Sequence, residues 1–399
     1  MLRSLFAGIS GLRTHQTLMD VVSNNIANVN TTGFKASSAT FQDTLSQTLR
    51  AAGAPSSASG GLNPAQVGLG VQLAGITTNF GQGSTQTTGR NTDLMIQGDG
   101  FFVMKSGSQQ LYTRAGAFNF DSNGLLVNSE GMAVQGWAAV NGVVNTDGPL
   151  GDLLVPAGTQ IPPVASTTFT GAGNIPAGTT TPQSLGQSIY DTAGNAHSLS
   201  VVLTPTGPNS FSVAVTDQTD PSSTVTAGTL QFNADGSYDP ASTAATITTA
   251  DGTAVTIDLS GATMYGGSKS FAVTKVDGAA AGTLQQFQIE QDGSIIGTFS
   301  NGQRQTLGKL ALANFTNPAG LTKVGSTAFS ISSNSGLPQI GIAGSGSLGT
   351  LMGGSLEMSN VDLAREFTNL IIAQRGFQAN SRVITTSDTL LQELVDLKR

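Results

Sequence analysis

Several residue types are absent or scarce in this chain of 399 residues. It contains no cysteine, which excludes disulfides, thiolate metal sites and cysteine nucleophiles together. Only 10% of the residues are charged, well below the roughly 25% of an ordinary globular domain. Because nucleic-acid-binding proteins carry a basic excess, the net charge of −7 argues against a nucleic-acid partner. No stretch approaches the roughly 20 consecutive apolar residues of a membrane span, so we expect no membrane insertion.

Basic residues are missing from the whole middle of the chain. Between Arg114 and Lys269 there is no Lys or Arg, whereas this segment holds eleven Asp and Glu residues. Proline is also unevenly placed, because all 14 prolines lie between Pro55 and Pro338. Both ends of the chain therefore lack the strongest helix breaker and are candidates for long helices.

Apolar residues at the two ends follow helical spacings. Near the N-terminus they recur mostly every three or four positions, which predicts a helix. Near the C-terminus a seven-residue repeat indicates a helix with a supercoiled helical partner. We expect Ser359 or Asn360 to cap this second helix. The repeat consists of Leu363, Leu370, Phe377, Ile384 and Leu391.

The N-terminal helix would be weak on its own. Gly8 and Gly11 each cost about 1 kcal/mol relative to alanine, and few charges solvate the helix surface. It therefore needs neighbours. On composition alone, an ordinary pair of helices within one chain explains both ends.

The interior is predicted to be β structure from about residue 71 to 358. Short β-branched or aromatic runs alternate there with Asn-Gly and Asp-Gly dipeptides, which favour tight hairpins. Residues 51–89 contain no charged residue and are rich in Gly, Ser, Ala and Gln. That composition is typical of an extended connector.

No catalytic, cofactor or metal site is expected from the residues. Positions 344–349 match GxGxxG, but Gly353 and Gly354 interrupt the helix that a dinucleotide site needs, so a glycine-rich loop is expected. The stretch from Asn233 to Asp239 imitates the start of an EF-hand loop, but position twelve is Ala244, so we expect a hairpin turn. The two histidines, His15 and His197, form no metal set or triad, and a local bond from His197 to Asp191 is expected.

Three segments carry long, specific patterns: residues 1–35, 112–137 and 359–399. Together they resemble the rod and hook axial proteins of the bacterial flagellum. Within this family, the acidic insert in the middle of the chain is similar to that of the hook members. The residues that match the family patterns are Asn25, Ala27, Asn28, Gly33, Phe34, Arg114, Gly116, Phe118, Gln374, Arg375, Gln378, Ala379 and Asn380.

The resemblance implies an α+β, mainly β fold with paired terminal helices and nested, discontinuous β domains. The expected parts are a helical domain (1–34 with 359–399), a connector (35–70), a shared β domain (71–145 with 285–358) and an acidic outer β domain (146–284). The helices would form the inner wall of a tube. The residues expected to carry polymerisation are Leu5, Phe6, Ile9, Leu12, Val22, Ile26, Leu363, Phe367, Leu370, Phe377, Ile384 and Leu391.

The function that the resemblance implies is that of a hook subunit. It would self-assemble into a curved tubular joint that transmits motor torque and encloses an export channel. Its expected partners are further copies of itself, the rod below, the hook–filament junction proteins above, the hook cap and the export apparatus. It would be exported without a cleaved signal peptide and require no cofactor. The alternatives are a distal rod protein and, in another class, an extracellular β-rich adhesin.

Overall fold

A computed structural model describes residues 2–55, 60–156, 158–220, 222–249 and 251–396. Two long helices lie at the ends of the chain, α1 (Leu2–Ala27) and α2 (Leu363–Asp396). The chain between them is mainly strand, with a short 3-10 turn at Pro318–Gly320. The expected α+β, mainly β fold with one helix at each end is therefore confirmed.

The strands are numbered in chain order. Those before residue 156 are β1 (Ser37–Asp43), β2 (Ser46–Arg50), β3 (Ala65–Gly68), β4 (Val71–Thr78), β5 (Thr85–Thr87), β6 (Leu94–Gln97), β7 (Phe101–Ser106), β8 (Gln109–Thr113), β9 (Phe118–Phe120), β10 (Leu126–Asn128), β11 (Ala133–Val140), β12 (Val143–Val144) and β13 (Gly151–Asp152). Those of the middle are β14 (Gln160–Ile161), β15 (Thr168–Asn174), β16 (Gln183–Tyr190), β17 (Ala196–Gly207), β18 (Ser210–Asp217), β19 (Thr224–Thr226), β20 (Gly228–Gln231), β21 (Ala245–Thr248), β22 (Ala254–Thr263), β23 (Ala272–Val276) and β24 (Gly282–Ile289). The last are β25 (Ser294–Phe299), β26 (Arg304–Leu310), β27 (Leu312–Asn314), β28 (Thr322–Gly325), β29 (Ala328–Ser330), β30 (Gln339–Gly341), β31 (Thr350–Gly353) and β32 (Ser355–Glu357).

The chain divides into two compact units. The first contains both helices and the strands up to Val155, together with Gln288–Ile296 and everything from Thr306 onward. The second consists of Pro156–Phe287 and Gly297–Gln305. The finer division of the first unit into a helical domain, a connector and a shared β domain stays a prediction.

The core of the first unit is an antiparallel sheet. Strand β11 pairs with β26 and β7, β7 pairs with β8, and β8 pairs with β29. One face of this sheet buries a set of aromatic rings that meet edge to face, which is the favoured geometry for aromatic pairs. These rings include Phe101, Tyr112, Trp137, Phe315 and Phe329.

The second unit contains two sheets around one hydrophobic core. One sheet has the order β19-β21-β22-β15-β23 and the other the order β16-β17-β18-β20. Strands β15 and β22 run parallel, whereas the hairpins β16–β17 and β17–β18 are antiparallel. Buried residues from both sheets form the core, among them Phe169, Val201, Phe211 and Ile257. The alternation of buried and exposed residues along β17 and β18 matches their reading as strands.

Residues 35–70 are more structured than a bare connector. Strand β1 pairs antiparallel with β4, and β2 pairs with β3 in a separate hairpin. The resemblance implied a connector at 35–70, and composition suggested one at 51–89, but Thr, Phe and Val within these stretches favour strands. The expectation that regular β structure begins near residue 71 is therefore wrong.

The N-cap of α2 also differs from expectation. The carboxylate of Asp362 accepts hydrogen bonds from the backbone N–H groups of Ala364 (2.9 Å) and Arg365 (3.3 Å). Asp362 is therefore the cap, and neither Ser359 nor Asn360 has that role. Its negative charge also suits the positive end of the helix dipole. Asn360 instead makes long-range hydrogen bonds described below.

The two helices pair antiparallel along a seam of small and polar residues. Gly8 of α1 lies beside Ile384, Gly11 lies beside Asn380, and His15 lies beside Gly376, so rising numbers in α1 meet falling numbers in α2. The buried positions of α1 include Gly8, Gly11, Thr14, Val22 and Asn25, and those of α2 include Glu366, Ala373 and Ser387. The predicted helical partner of α2 is thus α1 of the same chain.

Glycine in the seam lets the helix backbones approach closely. A Cβ atom added at Gly11 would lie 2.7 Å from the side chain of Asn380, which is itself held by a 2.9 Å hydrogen bond to the carbonyl of Gly376. A Cβ at Gly376 would lie 2.4 Å from the ring of His15. Gly11, which weakens an isolated α1, is therefore required for the close approach of the pair, as is Gly376 of α2.

Two substitutions in α1 test this packing, because Gly8→Ala and Gly11→Ala bring the same gain in helix propensity, about 1 kcal/mol. At position 8 the new Cβ would meet its nearest neighbour at 3.4 Å, so we expect Gly8→Ala to raise the free energy of unfolding of the helix pair by about that amount. At position 11 it would crowd Asn380, so we expect Gly11→Ala to lower that free energy by about 1–3 kcal/mol. Thermal melting followed by circular dichroism at 222 nm measures both, and equal stabilisation by the two variants would contradict the close seam.

Candidate functional site

Large apolar side chains are exposed along both terminal helices. On α1, Phe6 is 64% exposed, and on α2, Ile371 and Ile372 are each 57% exposed. Small residues make up much of the seam, so most of the larger apolar residues lie beside it, with Val22 and Ile384 packed into it. Of the residues expected to carry polymerisation, Phe6, Leu363, Phe367 and Leu391 are exposed, and Leu5, Ile9, Leu12, Ile26, Leu370, Phe377 and Ile384 are partly buried.

Val22 is the exception in that set. It is only 2% exposed, which places it in the intrachain seam and not on a surface. The seven-residue repeat of α2 likewise does not form the centre of the helix pair. Its end members Leu363 and Leu391 are exposed, and its middle members line the edge of the seam. We name the exposed apolar residues beside the seam the flanks: Phe6, Leu363, Phe367, Ile371, Ile372 and Leu391.

A second exposed apolar surface lies on strands β1 to β4. None of the residues predicted to carry polymerisation lies on these strands. Leu45, between β1 and β2, is 82% exposed. Leu49, Val67, Leu73 and Ile76 are also exposed. A strand pair that shows large apolar side chains to solvent is typical of an interaction surface. The neutral composition of the segment hid these residues, because each is separated from the next by polar or small residues.

Motif residues fasten the helices to the β structure. The side-chain amide of Asn25 donates to the carbonyl of Ser37 (2.8 Å) and its oxygen accepts from the N–H of Ser37 (3.0 Å). Asn360 accepts from the N–H of Ala36 (2.8 Å) and donates to the carbonyls of Asn79 (2.9 Å) and Gly81 (3.0 Å). The segments after α1 and before α2 are thereby held against the same strand.

A buried ion cluster joins two of the segments that carry the family patterns to the strand that precedes the third. The Lys35 ammonium lies 2.6 Å from the carboxylate of Glu357, and both side chains are fully buried. The guanidinium of Arg114 lies 3.5 Å from the other oxygen of Glu357. Lys35 also donates to the carbonyl of Gly81, and the N–H of Gly83 donates to Glu357. One carboxylate therefore serves two cations and a backbone donor.

Burial dominates the electrostatics of this cluster. Loss of solvent lowers the pKa of Lys35, and the negative charge of Glu357 only partly offsets this effect. Burial likewise lowers the pKa of Arg114, with Glu357 and Asp99 acting in the opposite direction. Arg114 also stacks over the ring of Phe101, 5.4 Å from its centre. Glu357 was not singled out from the sequence, although a lone acid ending an otherwise buried strand was the available signal.

Gly33 and Gly116 are motif residues because of steric constraints. Gly33 has φ of +68°, and a Cβ there would lie 2.4 Å from the backbone nitrogen of Ala115. A Cβ at Gly116 would overlap the carbonyl of Leu94. Both positions admit only glycine without a shift of backbone.

The other motif residues fall into two groups. Phe118 is buried with its ring 5.1 Å from that of Phe102, and Phe34 lies under the ammonium of Lys323 at 5.2 Å. Asn28 caps the last turn of α1 with a 2.9 Å bond to the carbonyl of Asn24. Asn380 lies in the seam. The remaining motif residues are exposed on the helices, namely Ala27, Gln374, Arg375, Gln378 and Ala379.

His197 pairs with a different carboxylate from the one expected. Its Nδ1 lies 2.8 Å from Asp217 Oδ2, whereas its Nε2 lies 3.7 Å from Asp191 Oδ2. Burial opposes the charged imidazole, but the hydrogen bond and charge of Asp217, together with the nearby charge of Asp191, raise the pKa of His197. Asp191 instead closes its own turn, accepting from the backbone and side-chain nitrogens of Asn195. The turn occupies Asp191, so the nearest carboxylate in sequence is not the partner.

Two other sequence candidates are turns and loops. Asp235 accepts from the N–H and hydroxyl of Ser237 in a hairpin turn, as predicted. The glycine-rich residues 344–349 connect β30 to β31, so a strand follows them. Neither of the two described helices is long and apolar enough to cross a membrane.

Comparison with known proteins places the chain in one family. Family models match four segments: "Flagella basal body rod protein" at residues 5–35, "Flagellar hook protein FlgE/F/G D1 domain" at 95–177, "Flagellar basal body protein FlaE D2 domain" at 174–279 and "Flagellar basal body rod FlgEFG protein C-terminal" at 352–397. The chain is 41% identical to "Flagellar hook protein FlgE" of Borreliella burgdorferi, over the full length of both proteins. The chain belongs to the flagellar hook protein family. This is a family of structural proteins.

Further relatives of this hook-family chain agree. It is 36% identical to the hook protein of Escherichia coli K12 over 98% of each chain. It is 33% identical to "Flagellar basal-body rod protein FlgG" of Bacillus subtilis, over all of both. A crystal structure of the Helicobacter pylori hook protein FlgE2 matches with a TM-score of 0.52, covering 68% of this chain and all of that one. At 16% identity this last match supports the fold alone.

Glu357→Gln tests the buried ion cluster. The substitution leaves Lys35 and Arg114 buried without a counter-charge, so we expect the free energy of unfolding of the first unit to fall by about 3–5 kcal/mol. Urea unfolding followed by fluorescence of Trp137 measures it, since this is the single tryptophan and lies in the core of that unit.

The matched control is Lys105→Ala, which removes a 3.4 Å ion pair with Asp152 at an exposed site. Exposed pairs contribute about 0–1 kcal/mol, so this variant should unfold nearly as the parent does. Equal losses from the two variants would show that Glu357 is no more important than a surface charge.

Proposed function

We propose that this chain is a structural subunit of the bacterial flagellar hook, which self-assembles into a curved tube. The tube would act as a universal joint that transmits motor torque to the filament and would leave an export channel along its axis. We propose the flanks as the main polymerisation surfaces. The exposed strands β1 to β4 would add a second surface.

The observation that carries this proposal is the composition of the helix pair. The seam uses glycine, alanine and polar residues, so pairing within the chain leaves Phe6, Phe367 and Ile371 exposed. A helix of 34 residues is about 51 Å long, so exposed apolar residues spread along it form an extended surface. Such a surface is unfavourable in a monomer and is removed from water by lateral contact with further copies. A second copy of the chain is the occupant that family membership favours.

Two alternatives have weaker support. A distal rod subunit would use the same terminal helices, and one rod-named relative matches over its whole length. Several hook-named relatives are more similar, at 36% to 41% identity, and the D2 domain model matches residues 174–279 of the acidic insert. An extracellular adhesin would require aromatic binding platforms, but the chain has one Trp and four Tyr.

The neighbouring partners are proposals that follow from this role. A hook tube would contact the rod below, the junction proteins above, the hook cap during growth and the export apparatus. Location outside the cell and export without a cleaved leader belong to the same proposal. The exposed uncharged residues Gln16, Ser23 and Asn24 of α1 suit a channel wall that does not retain passing chains. An acidic outer domain at residues 146–284 also remains a proposal.

Ile371→Lys tests polymerisation through the flanks. Burial of an isoleucine side chain contributes about 1.5–3 kcal/mol, and each 1.4 kcal/mol is a tenfold change in affinity. We therefore expect the critical concentration for polymerisation to rise at least about tenfold, with the circular dichroism spectrum of the monomer unchanged. Sedimentation and electron microscopy of polymerised protein measure the effect. Cells that carry the variant should show rods without hooks or filaments.

Two variants control for size and charge. Ile371→Leu keeps an apolar side chain and should polymerise like the parent. Thr385→Lys introduces the same charge at another exposed position of α2 and should change the critical concentration less than Ile371→Lys does. Normal assembly of Ile371→Lys, or equal defects in both lysine variants, would remove the flanks from the account. Straight tubes from the parent protein would favour the rod alternative.

A further inference from the structure

Two hairpin tips of the second unit meet around His197. The first is the turn between β16 and β17, which carries Asp191 and Thr192, and the second is the turn between β21 and β22, which carries Asp251. The hydroxyl of Thr192 donates to Asp251 Oδ2 at 3.2 Å, so the tips touch. These hairpins belong to different sheets of the unit. Segments far apart in sequence therefore place their carboxylates beside one imidazole.

The imidazole of His197 is oriented as a ligand would be. Asp217 can only accept when ionised, so the short Nδ1 contact of 2.8 Å places the ring proton on Nδ1. Nε2 then faces Asp191 at 3.7 Å, too far for a hydrogen bond, so it is the ring nitrogen that a metal ion would bind in place of a proton. A histidine whose second nitrogen is held by a carboxylate is the usual support of a metal-bound imidazole. His197 is 91% buried, since its exposed fraction is 9%.

The carboxylates around His197 belong to a stretch of sequence without lysine or arginine. Three carboxylates, from Asp191, Asp217 and Asp251, surround a single imidazole. Residues 115–268, which include all three, contain no Lys or Arg. Even with His197 protonated, the three carboxylates outnumber the one positive charge. A divalent cation would balance this excess.

We propose that Asp191, His197 and Asp251 bind one divalent transition-metal ion of the Zn²⁺ type. One ligand atom from each residue lies within 4.8 Å of the other two. Ligands held at about 2.0–2.2 Å from one ion lie about 3–4 Å apart, so the carboxylates must move slightly closer together. On binding the ion, Asp191 would exchange its bonds from Asn195, and Asp251 its bonds from Thr249 and Thr253, for the metal. Asp217 would orient the imidazole without touching the ion.

The donor set selects the class of ion. One imidazole nitrogen with two carboxylate oxygens suits Zn²⁺, Co²⁺ or Mn²⁺, whereas Ca²⁺ prefers six to eight oxygens. From the sequence alone no metal site was expected, because position 251 lies far from the Asp-His pair along the chain. Only the pairing of the strands brings the three residues together.

The ion would staple the two sheets of the second unit at one end. In the absence of metal, the tips are joined through the Thr192 bonds to Asp251. The ion would bind residues from both tip regions and would therefore raise the stability of this unit. An ion that binds only the folded state stabilises that state by mass action. This inference is independent of the polymerisation surfaces, which lie in the first unit.

Metal titration of the full-length, untagged monomer tests the proposal. After dialysis against a chelator, Co²⁺ serves as a visible probe and Zn²⁺ as its competitor. We expect one Co²⁺ per chain, with a visible absorption band that Zn²⁺ removes and that Ca²⁺ and Mg²⁺ do not. The midpoint of thermal unfolding should rise in saturating Zn²⁺.

Four variants identify the ligands. Asp251→Asn removes an exposed ligand and should weaken Co²⁺ binding at least tenfold, and His197→Gln should abolish the visible band. His15→Gln changes the other histidine, and Asp235→Asn changes a turn carboxylate of the same unit. Both of these controls should bind Co²⁺ as the parent does. Because Asp251 is exposed, its variant remains informative if His197→Gln does not fold.

Three results would overturn the site. The first is the absence of saturable Co²⁺ binding at millimolar concentration. The second is binding that survives Asp251→Asn unchanged or that is lost in His15→Gln, which would place the ion elsewhere. The third is tighter binding of Ca²⁺ than of Zn²⁺, which would mean an oxygen-only site without the imidazole.

Discussion

The close antiparallel packing of α1 on α2 is the constraint on which the rest of the structure depends. Glycine at positions 11 and 376 and alanine at position 373 let the two backbones approach. A seam of this kind leaves many of the large apolar side chains of the two helices outside it. Those side chains stay on the flanks, where they are available to other copies. In the proposed function, folding within the chain and assembly between chains thus use different residues of the same helices.

The buried ion cluster fixes the ends of the helices to the β structure. Lys35 follows α1, Glu357 precedes α2, and Arg114 belongs to the aromatic sheet core, so their contact fixes three parts of the chain together. Asn25 and Asn360 add hydrogen bonds on either side of that cluster. For the torque-bearing subunit that we propose, a rigid link between helices and β structure is needed. Buried, charge-assisted contacts are specific in geometry, which suits this role.

Much of the fold was predictable from the sequence because its signals are local. Helical spacing, the absence of proline and the hairpin dipeptides identified two terminal helices and a β interior. Contacts between distant segments were not predictable. The seven-residue repeat of α2 correctly predicted a helical partner, but not that small residues such as Gly376 would face it. Glu357 and the Asp217 partner of His197 were missed because each depends on strand pairing across many residues.

The polymerisation residues were predicted as a set, but their separation into seam and flank required the structure. Val22 shares the apolar character of Phe6, and the sequence spacing does not distinguish them. Burial does, since Val22 packs within the chain and Phe6 stands in solvent. The exposed apolar residues of strands β1 to β4, by contrast, were not predicted from the sequence. Their exposed leucines carry no periodic signal, so neutral composition suggested a linker.

The central claim is that seam and flank have separate roles, and cysteine labelling in monomer and polymer tests it most directly. The chain has no native cysteine, so Ile371→Cys on the flank and Ala373→Cys in the seam each give a single thiol. We predict that the flank thiol reacts readily in the monomer and becomes at least tenfold slower in the polymer, whereas the seam thiol is protected in both. Equal labelling of the flank thiol in monomer and polymer, or ready labelling of the seam thiol in the monomer, would contradict the account.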